Sequence, residues 1–368
     1  MKDFNYWKKR YESQQLEEFN TEITGSLWLK TKSITRKELV AEFIQTNNIS
    51  LNEKGLSKQF IELFDFLSKD SENSHALLNS YIKWKNQNQI LTLDIASLVS
   101  ELYKLKNFDW GGDHQNSLDK YLVSRYVKVY TSYNQLISKF ESEINIAVQG
   151  YVLNSWYNHW SSILIEHIFK AHSSVLPTVG QIKSVDFFIK DIPFDLKVTY
   201  LPVEYIKLRR KEKDLPVELT FLKKKAAEAN INFDKKAKSS DIYHEIIEKM
   251  KDKNNDFCNS VLSILKKEKL QVLKDAQNNP KMLAKWLYEN QGEMRFGSEN
   301  RLFLVLVDSD DFNGSWKLKR NLGLLEPTIK KYLDNFKSKK MEDLKVSFGY
   351  KGKSQTFTAL ADVIFVTR

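Results

Sequence analysis

The sequence predicts an α/β (α+β) protein, a mixed central sheet flanked by helices and preceded by a helical N-terminal domain. Three observations lead there. Apolar residues at helical spacing fill residues 1–150. Strand-like runs begin only after Gly150. The two most apolar runs lie late in the chain and lack the alternation of a half-exposed strand. Only six Pro and twelve Gly occur in 368 residues, too few for a sandwich or barrel of many short strands. A hydrophobic fraction of 42% supports a packed core and argues against a disordered chain.

Along the chain, Leu39, Val40, Phe43 and Ile44 recur at helical spacing, as do Phe60, Leu63, Phe64 and Leu67. Thr92 or Asp94 suits the N-cap of a helix carrying Ile95, Leu98, Val99, Leu102, Tyr103 and Leu105. Asp109-Trp110-Gly111-Gly112-Asp113-His114 reads as a turn, and a further helix is expected over 117–146. These elements form the expected domain 1–150, suited to recognition or partner contact. The expected second domain, 151–368, opens with an aromatic helix over 153–171. Strand-like runs over 184–189 and 194–201 follow, joined by a hairpin-like Lys190-Asp191-Ile192-Pro193. Pro202 ends the second run. Residues 203–285 read as a lysine-rich helical insertion, with Lys223-Lys224-Lys225, Lys235-Lys236 and Lys266-Lys267. That basic surface is either a groove lining or a solvated face. Runs over 302–307 and 361–366 should be strands buried on both faces.

The formal charge of +10 and pI near 9.2 favour a polyanionic partner, because phosphate-bound cations release condensed counterions. A single cysteine, Cys258, excludes an intrachain disulfide and cysteine-based zinc sites. The N-terminus lacks an apolar signal region and no stretch of about 18 apolar residues occurs, so no membrane contact and a cytoplasmic location are expected. No G-x-x-x-x-G-K-[ST] loop, H-E-x-x-H or G-x-S-x-G motif is present. Asp308, Asp310 and Asp311 follow a strand and read as an acidic turn sooner than a metal site.

The most informative stretch spans 184–199. Asp186 interrupts one apolar run, and Asp195 and Lys197 interrupt the next. Alternation sends Asp195 and Lys197 to one face and Leu196 and Val198 to the other. A bare D-x-K triplet is usually an ion pair on a solvated strand. Here a second acid precedes it on a neighbouring run, and a helix with an acid precedes both. Trp156, Trp160, Leu164 and Ile168 would form that helix's apolar face, with His159, Ser162 and Glu166 on an adjoining line. Partly buried carboxylates cost free energy unless a cation neutralises them.

Together these residues resemble the PD-(D/E)xK nucleases, the restriction-endonuclease-like superfamily, over about 153–202. Val185 stands where the name-giving proline would be. The resemblance implies that Asp186, Asp195 and Glu166 are metal ligands and that Lys197 completes the catalytic set. It implies Mg²⁺, or Mn²⁺ in its place, and double-stranded DNA as substrate. It also implies a restriction-endonuclease-like sheet and a type II restriction or other phage-defence endonuclease. Subunit number stays open, a homodimer being one arrangement. Arg295, Arg301, Lys317, Lys319 and Arg320 are expected to grip flanking phosphates. Trp316 suits core filling better than base stacking. The alternative is a non-catalytic nucleic-acid-binding protein with a nuclease-like fold.

Overall fold

The computed structural model describes residues 2–108, 117–180, 182–290, 299–350 and 354–368. The turn expected at 109–114 and Arg295 lie outside them. Among the described residues the protein is mixed α/β, with six strands: β1 (Val175–Pro177), β2 (Phe187–Ile189), β3 (Ile192–Tyr200), β4 (Arg301–Val307), β5 (Lys345–Gly349) and β6 (Thr356–Thr367). Their order is β1-β2-β3-β4-β6-β5. The chain divides into two compact units, one of 1–196 with 313–338 and the other of 197–312 with 339–368. Strand β3 contributes to both.

In the first unit the N-terminal helices and the first strands share one core. Phe4, Trp7, Phe19, Trp28, Phe43, Phe60 and Phe64 pack together, and Leu176, Val179, Ile182, Val185 and Phe188 join them. Helices expected as a separate N-terminal domain therefore bury the same surface as the β1–β3 region. Gly180 marks the closeness of that packing. A Cβ there would stand 2.1 Å from the Ser33 carbonyl oxygen, so only glycine fits without a shift of backbone. Asp94 is the N-cap of helix Ile95–Leu102, its carboxylate accepting from Ser97 N–H at 3.0 Å.

Gly150 does not end a helix. A single helix, Asn145–Lys170, runs through it. One glycine in a helix costs about 1 kcal/mol, which the packing of this long element offsets. Its buried stripe is Asn154, Tyr157, Ser161, Leu164, Ile165, Ile168 and Phe169, while Trp156 and Trp160 are only half-buried. The expected apolar face is thus rotated. The small Ser161 allows close approach, and Tyr157 gains a partner by donating its hydroxyl to the Trp316 carbonyl at 2.9 Å.

In the second unit every residue of β4 is buried, and β4 runs parallel to β6 from Arg301↔Ala361 to Val307↔Thr367. The missing alternation in both sequences follows from that burial. Strand β5 closes against β6 antiparallel. Residues 203–290 are helical. Leu222, Ala226, Ile242, Ile246, Met250, Cys258, Val261 and Leu265 form a small core of their own, with Lys223, Lys224, Lys235, Lys236, Lys266 and Lys267 exposed. Among the described residues no helix is long and apolar enough to cross a membrane.

Candidate active site

The hairpin β2–β3 is tighter than its sequence suggests. Ile189 pairs with Ile192, leaving only Lys190 and Asp191 in the turn, at φ 51° and 64°. Positive φ at both central residues is the type I′ signature, whose twist matches that of the flanking strands. Such turns favour Asn and Gly, so the pattern was not legible from Lys-Asp. Pro193, read as part of the connection, sits inside β3 opposite Phe188.

Asp186 lies just ahead of β2, half-buried. Its N–H donates to the Phe194 carbonyl at 2.8 Å, although Phe194 already pairs with Phe187. Two residues thus face one, a bulge that re-aims the side chain. Its carbonyl accepts from Thr178 N–H at 3.1 Å and from the Thr178 hydroxyl at 3.0 Å. Its carboxylate Oδ2 accepts the Leu196 N–H at 2.7 Å. That hydrogen bond sets one carboxylate oxygen against the β3 backbone at the residue between Asp195 and Lys197. Asp195 is buried, at 7% exposure, and Lys197 is exposed. The acid, acid and lysine of the sequence motif are therefore gathered on one short segment.

Glu166 is placed differently. Its carboxylate is paired with Lys170 on its own helix at 2.8 Å. Phe169 stacks on Phe187 at 5.2 Å and 12° between planes, so this helix covers the face that Phe187 and its partner Phe194 share. Glu166 precedes Phe169 by three residues and shares its helix side. Alternation along β3 sends Asp195 to the face opposite Phe194. The geometry ties Asp186 to the β3 backbone next to Asp195, whereas Glu166 is tied to Lys170 on its own helix. Accordingly, Glu166→Gln should leave any cleavage within about threefold of wild type, whereas a directly acting electrostatic group typically contributes about 10²–10³. Initial rates on one DNA substrate check this, and a loss of a hundredfold would return Glu166 to the site.

The cations expected to grip phosphate also differ from expectation. Arg320 is buried and donates to the carbonyls of Leu102 at 2.6 Å and Leu105 at 2.9 Å, at the end of helix Ile95–Leu102. Its guanidinium lies over Tyr103 at 4.5 Å and Trp316 at 5.2 Å. Lys319 is buried, donates to Asn158 Oδ1 at 2.8 Å, and burial pushes its amine down to about 8. In the second unit Arg301 is buried, paired with Glu299 at 3.0 Å and set over the Tyr288 ring. These three are committed to the fold, because a buried cation needs local partners and cannot also reach a surface polyanion. Lys317 alone of the described set is exposed. Trp316 is a core residue, stacked on Phe108 at 5.2 Å. Asp308 holds the acidic turn after β4, accepting N–H bonds from Asp310 and Asp311.

Among the described residues no group of three or more His, Cys, Asp or Glu side chains is placed to hold a metal ion. Asp186 and Asp195 are the two carboxylates next to each other on this segment. A Mg²⁺ ion is commonly held by one or two carboxylates, with water and substrate phosphate filling its octahedron. Compared with known proteins, the chain matches no family model, no curated protein and no solved structure.

Proposed function

We propose that the chain is a Mg²⁺-dependent endonuclease that hydrolyses phosphodiester bonds of double-stranded DNA, with Asp186, Asp195 and Lys197 as its catalytic set. The observation that carries this reading is the Asp186 carboxylate held on the Leu196 N–H, between the positions of Asp195 and Lys197. A helix carrying an acid, then the strand segments carrying Asp186, Asp195 and Lys197, then a later buried strand follow one another in the order the resemblance expects, which supports the same reading. The charge of +10 and the exposed lysine pairs of the helical insertion supply attraction for a polyanion. A role in phage defence, as a type II restriction enzyme or a related nuclease, is the setting in which such an activity fits.

In this reading Asp186 and Asp195 would hold the ion. Lys197, exposed on the same face as Asp195, meets the scissile phosphate and offsets the charge that grows on it. A bound ion there would supply Lewis-acid stabilisation and a water of lowered pKa. No covalent protein intermediate is required.

Incubation with plasmid and phage DNA should give discrete fragments in Mg²⁺ or Mn²⁺ and none in excess EDTA, read on agarose. Full cleavage in EDTA would overturn the metal requirement. Cleavage of RNA and not DNA would correct the substrate. Retained DNA binding without cleavage in any divalent ion would favour the alternative, a binding protein with a nuclease-like fold. The pairing of Glu166 with Lys170, which leaves only two carboxylates on the hairpin, is the observation on that side.

A further inference from the structure

The β2–β3 turn is gripped from two directions within the first unit. Lys30, on helix Ile23–Ser33, is fully buried at 0% exposure, yet its ammonium reaches the Asp191 carboxylate. The same ammonium donates to His75 Nδ1 at 2.9 Å, and His75 Nε2 donates to the Ile23 carbonyl at 3.0 Å, which places the ring proton on Nε2. The Ser26 hydroxyl donates to the Asp191 carbonyl at 3.2 Å. From the other direction Lys190 donates its ammonium to the Lys337 carbonyl. Lys30 also lies 5.9 Å from the Phe188 ring centre on β2.

A fully buried lysine is costly. Burial pushes its amine down, and the Asp191 carboxylate is what opposes that. Simple packing would be served better by an apolar residue. Lys30 instead contacts a turn whose two residues hold left-handed φ without glycine, a conformation unfavourable for most side chains. The turn sets the β2–β3 register, and that register decides which backbone N–H the Asp186 carboxylate meets.

We propose that Lys30 is a positioning residue: through Asp191 it locks the β2–β3 turn, and through the turn it sets the Asp186 carboxylate beside Asp195. The second half rests on the nuclease reading; the first does not. The substitutions Lys30→Met and Asp191→Asn separate the two. Asp191 has a side chain 60% exposed, so its variant should fold even if Lys30→Met does not. Amide hydrogen exchange of peptides covering 185–200, with 301–307 as an internal reference, reads the lock directly. Loss of a hydrogen bond to a buried charge should speed hairpin exchange roughly ten- to a hundredfold, with the reference unchanged. Cleavage by both variants should show kcat reduced at least about tenfold with KM little changed, as a misplacement near 1 Å can cost about a hundredfold. The double variant should be no worse than the more affected single one. Unchanged hairpin exchange in Asp191→Asn overturns the proposal, as does faster exchange with unchanged kcat. If wild-type protein cuts no nucleic acid, the nuclease reading fails alone and the exchange result still decides the lock.

Discussion

On the proposed nuclease reading, Asp195→Asn and Lys197→Ala should each lower the rate of DNA cleavage by about 10²–10³, roughly 3–4 kcal/mol of transition-state stabilisation. The two side chains share a strand face, while Phe194 and Leu196 on the other face are buried, so either can be altered without opening the core behind them. Asp195→Asn keeps the shape of the buried carboxylate and removes its charge, which weakens ion binding and leaves a neutral amide beside Asp186. Lys197→Ala removes an exposed cation at little cost to the fold. DNA binding should survive both changes, and the Asn variant should bind slightly tighter because a carboxylate no longer faces phosphate. Cleavage and gel-shift on the same DNA, with circular dichroism as a folding control, check this. Wild-type protein that cuts, with either variant cutting equally well, would remove this hairpin from the catalytic centre.

Arg320→Met should lower stability by about 3 kcal/mol, seen as a fall in Tm of roughly 6–12 °C for a unit of this size. The guanidinium donates to two carbonyls beside the end of helix Ile95–Leu102 and is sandwiched with Tyr103 and Trp316. Removal strips both carbonyls of a charged donor, where each such bond is worth about 1.5–3 kcal/mol, and forfeits cation–π contact of about 0.5–2 kcal/mol. Methionine replaces the packing of the side-chain stem and so isolates the polar loss. The salt dependence of DNA binding by the folded variant should stay as in wild type, because this cation makes its contacts inside the protein. A thermally unchanged variant with a shallower salt dependence would instead assign Arg320 to phosphate.

The sequence by itself determined the elements whose signal is local. Period 3.6 marked the N-terminal helices, the unbroken apolar runs marked β4 and β6, and charges inside apolar runs marked Asp186, Asp195 and Lys197. A charge placed where a strand should be apolar is visible without a neighbour, because its cost arises at its own position. The rest was decided by contacts between segments far apart in sequence. The long helix runs through Gly150 because packing outweighs one glycine. Its buried stripe follows Tyr157 and Ser161 rather than the tryptophans, which turns Glu166 toward Lys170 and the Phe187 face. Arg301, Lys319 and Arg320 look like surface cations in a list of residues, and only their partners at Glu299, Asn158 and the carbonyls of Leu102 and Leu105 make them interior ones. The hairpin connection was legible in the sequence, but its two-residue left-handed form was not. Lys190 and Asp191 take left-handed φ, and their side chains meet the Lys337 carbonyl and Lys30, more than a hundred residues away along the chain in each case. Local propensity fixes which segments become helix or strand; burial and pairing across the chain fix which face, which turn and which charged groups remain to meet a ligand.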